Sequence, residues 1–197
     1  RCPDFKISYE GHECQWNGPT WPYLTSMTLA AMANYFNSYD SPIITKKDYL
    51  SLLNIYSNSH RILSVNNDTI CWIDENINPY TGDWISRTRL KSWKNGTWDD
   101  SKGGVERGKD YNHSSFCNLI ISGLMGVRPQ EDGSIIINPL VPDGCWDYFC
   151  LDNVYCQGKT IICDKKGKKY GRGKGFIVYV DDKCLSHTTR VQKVVIR

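Results

Sequence analysis

Adjacent carboxylates are the sharpest chemical feature of this sequence, in Trp72-Ile73-Asp74-Glu75-Asn76-Ile77-Asn78-Pro79-Tyr80-Thr81-Gly82. A carboxylate in an aromatic-lined pocket has its pKa raised toward neutrality and can take a proton from water as a general base. The commoner fate of an Asp-Glu pair is a solvated acidic loop, and the turn that follows fits both readings. A second cluster is His12-Glu13-Cys14-Gln15-Trp16-Asn17-Gly18-Pro19-Thr20-Trp21-Pro22. Its Gly-Pro turn, two indoles and several amide or acid side chains would make a cleft wall at a helix entrance. Composition alone favours the plainer alternative, a helix-entry loop with Trp16 and Trp21 packed in the core. The third cluster is Asp110-Tyr111-Asn112-His113-Ser114-Ser115-Phe116. His113 could titrate or hold a substrate hydroxyl, while a capping Ser114 with a locally bonded histidine is the blander account. Nothing resembles a nucleophile elbow, which argues against a serine hydrolase.

These clusters need elements to hold them. Pro22 opens a run from Tyr23 to Phe36 in which Leu24, Met27, Ala31 and Tyr35 recur at three- and four-residue steps, predicting a helix. Thr45 and Asp48 form a capping box for a second helix with an apolar stripe of Tyr49, Leu52, Leu53 and Tyr56. A third helix is predicted from about Ser115 to Met125, with Phe116, Leu119, Ile120 and Leu124 on one face and Gly126 at C′. The long stretch Asn66 to His113 is irregular, and its aromatics (Trp72, Tyr80, Trp84, Trp93, Trp98 and Tyr111) argue against disorder. After Pro129 the pattern turns to short strands at Ser134-Ile137, Tyr148-Val154, Thr160-Cys163, Phe176-Val180 and Val191-Ile196. Asp132-Gly133, Lys166-Gly167 and Asp181-Asp182 supply the turns. Helices first and an antiparallel β-sandwich second make the expected class α+β.

Composition narrows the partners. With 24 Lys+Arg against 21 Asp+Glu, the net charge of +3 is too small to imply nucleic acid or a membrane surface. The run Lys159 to Gly175 is basic, holding Lys159, Lys165, Lys166, Lys168, Lys169, Arg172 and Lys174 against Asp164 alone. Its Gly-rich setting reads as a solvated hairpin rather than a nucleic-acid patch. The longest nearly apolar run, Leu119 to Val127, is too short and too interrupted to span a bilayer. Arg1 has no basic-then-apolar leader after it, so a signal peptide is expected to be absent or already removed. The nine cysteines include no C-x-x-C pair, which supports scattered thiols over a zinc ribbon, and Cys117 and Cys163 read as small apolar residues. Three sequons, at Asn67, Asn95 and Asn112, leave the compartment open. The 7 Trp, 12 Tyr and 5 Phe suit a core and equally suit stacking on sugar rings.

Trp16-Asn17-Gly18-Pro19-Thr20-Trp21 resembles the Trp-x-Gly-Pro-x-Trp motif of six-hairpin, (α/α)6-barrel glycoside hydrolases, the trehalases, processing α-glucosidases and, most closely, mannosylglycerate-hydrolase-like enzymes. Glu75 to Gly82 is similar to the segment that carries the catalytic base there, with Ile77 replacing the usual aromatic, and Asp110 to Phe116 takes the place where the last barrel helix begins. Asn138 to Pro142 and Tyr170 to Gly175 look like the appended sandwich. The resemblance implies that residues 1–127 are the C-terminal portion of the barrel and 128–197 a β-sandwich. It implies Glu75 as general base of an inverting hydrolysis, with the acid Asp upstream in the same polypeptide. It also implies that Gln15, Trp16, Asn17, Trp21, Trp72 and His113 contact carbohydrate. No metal, cofactor, nucleic acid or membrane is implied, and the chain alone is expected to be inactive. The competing expectation is a non-catalytic carbohydrate-binding or structural β module with a helical adaptor.

Overall fold

A computed structural model describes residues 19–39, 43–63, 68–80, 82, 84, 115–154 and 159–197. Helix α1 (Pro22–Ser38) starts at the proline, whose fixed φ and missing N–H suit a first helical position. Its buried positions are Pro22, Ser26, Leu29 and Ala33. The expected stripe is displaced: Leu24, Met27 and Ala31 are exposed and Tyr35 is half-buried. Apolar residues ring this helix on several sides, so spacing alone does not select the packed face. Helix α2 (Lys46–Ser59) carries the expected capping box: Asp48 N donates to Thr45 Oγ1 at 3.2 Å and Thr45 N to Asp48 Oδ2 at 2.7 Å. Tyr49, Leu50, Leu53 and Tyr56 are buried along it. A short antiparallel pair follows, β1 (Arg61–Leu63) with β2 (Thr69–Cys71). Strands this short leave no alternation to read.

The chain divides into two compact units, Arg1–Thr28 with Leu52–Ser115, and Leu29–Ser51 with Phe116–Arg197. In the first, Ser26 Oγ donates to the buried Tyr56 hydroxyl at 3.4 Å, and Ile77 with Trp84 forms a small core.

In the second unit, α3 (Phe116–Asn118) is one α turn that widens into a π-helical segment, Leu119–Leu124. A regular α-helix over this stretch was the expectation, and Tyr49 explains the difference. Its ring is seated on Gly123, where a Cβ would collide with the phenol oxygen, and its hydroxyl donates to Leu119 O at 2.9 Å. A side chain bonding into the helical ladder favours the wider turn. Burial pushes the Tyr49 hydroxyl up to about 12, with the nearby Arg128 opposing, so it stays a donor at neutral pH. Cys117, expected on the apolar face, is exposed, whereas Cys163 is buried as expected. Gly126 ends the segment at φ +67°, the left-handed C′ conformation, with its α-carbon against the Asn138 backbone.

β3 (Val127–Pro129) pairs with β4 (Ile135–Ile137) through the Asp132-Gly133 turn, where Asp132 Oδ1 accepts from Ser134 N at 2.9 Å. Next, β5 (Tyr148–Val154), β6 (Lys159–Asp164), β7 (Gly175–Val180) and β8 (Lys183–Thr188) form a four-stranded antiparallel sheet in chain order. Asp181 and Asp182, at φ 47° and 60°, make the two-residue β7–β8 turn. β9 (Val194–Ile196) then returns to pair with β4. Strands β3 and β8 fall outside the sequence expectation. The first is three residues long, and the second is polar and mostly exposed, so neither carries an apolar alternation. The class is α+β with antiparallel sheets. No helix among the described residues is long and apolar enough to cross a membrane.

The basic run 165–174 is the loop between β6 and β7, and a single carboxylate shapes it. Asp164, only 2% exposed, accepts main-chain N–H bonds from Lys166 and Gly167 on Oδ1 and from Lys169 and Tyr170 on Oδ2, at 2.6–3.3 Å. Burial pushes its pKa up, but the four N–H donors together bring it below the ordinary aspartate value.

Two outcomes follow from these contacts. Gly126→Ala should cost at least about 2 kcal/mol in urea unfolding, because the left-handed penalty of about 1–2 kcal/mol adds to the collision with Asn138. Gly133→Ala, at φ +79° with open space around it, should cost only the first part. Equal costs would show that Asn138 does not crowd Gly126. For Asp164, the ionised form contributes stability fully above the unfolded aspartate pKa of about 3.9, and that contribution is lost as pH falls through the lower folded value. Asp164→Asn should therefore lower Tm at pH 7 and flatten the fall of Tm between about pH 4 and pH 2. An unchanged acid limb would assign the acid sensitivity to other carboxyls, such as Asp48 and Asp132.

Candidate active site

Two of the chemically interesting clusters meet through their main chains. Thr20 N donates to Ile77 O at 2.8 Å and Ile77 N returns a bond to Thr20 O at 2.9 Å, a one-residue antiparallel bridge. The residue before Trp21 is thereby fixed opposite the residue two places beyond Glu75. Ile77 forms a second bridge to Trp84. Trp84 is fully buried, its indole N–H bonds Ser59 O, and the His60 ring meets it edge-on at 6.0 Å. The carboxylate turn is thus tied to the entrance of α1 on one side and to the end of α2 on the other.

The two neighbouring acids then diverge. Asp74 is 2% exposed; its Oδ1 accepts from Glu75 N at 2.7 Å and its Oδ2 from Trp72 Nε1 at 3.3 Å. Its oxygens fix the local backbone and an indole. Glu75 is half-buried, and among the described residues its carboxylate enters no hydrogen bond or ion pair. It is the member of the pair whose oxygens remain open to a water molecule. The following turn is held by Asn78, whose Oδ1 accepts from Tyr80 N at 2.9 Å and whose carbonyl accepts from Gly82 N at 2.9 Å. Gly82 sits at φ +69°, a conformation that glycine adopts without penalty.

Among the residues expected to contact carbohydrate, Trp21 is half-buried at the start of α1, its carbonyl accepting from Thr25 N at 3.0 Å. Trp72 is partly buried and packs against Ile77 and Trp84. Gln15, Trp16, Asn17 and His113 lie outside the described residues. The bridge therefore brings Trp21 to the Glu75 turn, and Trp72 buttresses the same turn from its core side. Thr20 and Ile77 were not among the expected site residues, and isolated one-residue bridges leave no periodic signal that would reveal them. Trp84 carried only the general signal of a large aromatic.

The helix entrance is thus bridged to a turn with one bonded and one unbonded carboxylate. A family model described as the mannosylglycerate hydrolase MGH1-like glycoside hydrolase domain matches residues 1–114, the portion that contains Trp21, Trp72 and Glu75. The chain belongs to this glycoside hydrolase family. A solved structure titled "Sialidase" is similar with 34% sequence identity and a TM-score of 0.79, over 98% of this chain and 16% of that one. The chain thus spans a small part of that protein's length.

Proposed function

We propose that this chain is the C-terminal part of a glycoside hydrolase that cleaves O-glycosidic bonds with inversion, Glu75 being the general base. The observation that carries this reading is the contrast within the carboxylate pair: Asp74 is buried and bonded, while Glu75 is half-buried with its oxygens open. In an inverting hydrolysis one carboxylate removes a proton from water as its oxygen attacks the anomeric carbon, and a carboxylic acid protonates the departing oxygen. The two groups stand about 6.5–9.5 Å apart to admit the water. In this reading the acid is an Asp supplied by the upstream part of the same polypeptide. Asp74 is unsuited to that role because its oxygens are bonded beside Glu75.

The same proposal assigns residues 1–127 to the last helices of an (α/α)6 barrel and residues 128–197 to a β-sandwich that follows it. Trp16, Trp21 and Trp72 would offer ring faces to sugar, and Gln15, Asn17 and His113 would bond hydroxyls. The family match over residues 1–114 supports a carbohydrate substrate.

Two measurements test this. The isolated 197-residue chain should not turn over aryl glycosides, and turnover abolished by Glu75→Gln would place both carboxyls within it. In the full-length protein, Glu75→Gln should lower kcat by at least about 10²-fold, the scale of general-base assistance. The amide keeps the shape and cannot take the proton. Asp74→Asn should cost much less in kcat and show instead as a lower Tm, since it perturbs the bonds to Glu75 N and Trp72 Nε1. Equal kcat losses would move the base to Asp74, and near-normal kcat for Glu75→Gln would remove this mechanism.

A further inference from the structure

The second unit has a concave site of its own, away from the carboxylate turn in sequence and built from different elements. A cleft of about 430 Å³ opens at the end of the β5–β8 sheet where the 141–146 and 189–191 segments pass it. That volume lies within the range of about 300–1,000 Å³ typical of small-molecule sites. Its floor is apolar: Phe149 and Cys163 are buried, and Gly175 presents bare backbone because a Cβ there would strike Thr188 O. Trp146, half-buried, lines the cleft and makes an edge-to-face contact with Phe149, with ring centroids 6.3 Å apart.

Charge on the rim is unbalanced. Lys165 and Arg190 both line the cleft and are exposed, and among the described residues neither side chain is ion-paired. The one acid on the rim, Asp143, faces the ammonium of Lys46, whose pKa is lowered by burial and partly restored by that carboxylate. The cleft therefore combines an aromatic lining residue, an apolar floor and two cations without an ion pair among the described residues. An inorganic anion has no apolar face for the indole, and a neutral sugar offers the cations hydroxyl oxygens but no opposite charge. A pyranose bearing a carboxylate uses both, since an indole face matches the C–H face of the ring and a guanidinium matches a carboxylate in a bidentate pair.

We propose that this cleft is a second, non-catalytic binding site for an acidic saccharide, with the sugar ring on Trp146 and its carboxylate on Arg190 and Lys165. The site rests on the glycoside hydrolase family assignment and is independent of the role given to Glu75.

The experiment is calorimetric titration of the full-length protein carrying Glu75→Gln with three probes: a glucuronate-containing disaccharide, the matching neutral disaccharide and inorganic phosphate. The acidic disaccharide should bind with a Kd at least about tenfold lower than the neutral one. Both Arg190→Gln and Trp146→Ala should weaken it at least about tenfold, the scale of one charged hydrogen bond. Arg190 is exposed, so its variant tests the site even if Trp146→Ala fails to fold. In the otherwise wild-type enzyme, Arg190→Gln should leave kcat on a neutral aryl glycoside unchanged, which separates failure here from failure of the Glu75 assignment. Three results would overturn the proposal: phosphate matching the acidic disaccharide, affinity indifferent to both cleft substitutions, or no binding of the acidic probe.

Discussion

The candidate site in this chain depends on two main-chain hydrogen bonds between Thr20 and Ile77. Each is an ordinary amide bond, with a net contribution of about 0.5–1.5 kcal/mol. Their importance is geometric. They join the entrance of α1 to a turn with little regular structure of its own, and they fix the register in which Trp21 and Glu75 are presented. The burial of Ile77 and Trp84 shields this junction, and the Trp84 indole anchors it to the last turn of α2. The loop that carries Glu75 is held here by main-chain bonds and one buried aromatic.

The same economy separates two acids that adjoin in sequence. Hydrogen bonds to Glu75 N and Trp72 Nε1 commit Asp74 to structure. Its neighbour Glu75 is half-buried and, among the described residues, its carboxylate enters no hydrogen bond or ion pair. Two adjacent carboxylates with equal exposure would compete for protons and blur both roles. Unequal burial assigns one to the scaffold.

Features written in contiguous residues were legible in the sequence. Pro22 at the first turn of α1, the Thr45–Asp48 box, Gly126 at C′ and the Asp181-Asp182 turn all depend on local backbone chemistry, and the structure places them as their residue types predict. Features made by residues distant in the chain were not. The buried face of α1 is set by what packs on Ser26, Leu29 and Ala33, so the larger Leu24 and Met27 misdirect a reading by size. The π-helical turn exists because a phenol from α2 bonds Leu119 O, which no periodicity in 115–125 encodes. For the candidate site, the acid pair and the Gly-Pro-x-Trp segment were recognisable as motifs, but their meeting through a one-residue bridge was not. The division between Asp74 and Glu75 required burial and bonding partners, which adjacent acids do not announce.

Asp164 touches the basic loop only through peptide N–H groups, and every residue except proline offers one. The trace of the loop is consequently uncoupled from the identity of most side chains on it. Lysines at 166, 168 and 169 can drift to other residues over evolutionary time while the turn keeps its path. Surface charge at this end of the sheet is thus set separately from the path of the backbone, with glycine demanded where the backbone turns left-handed.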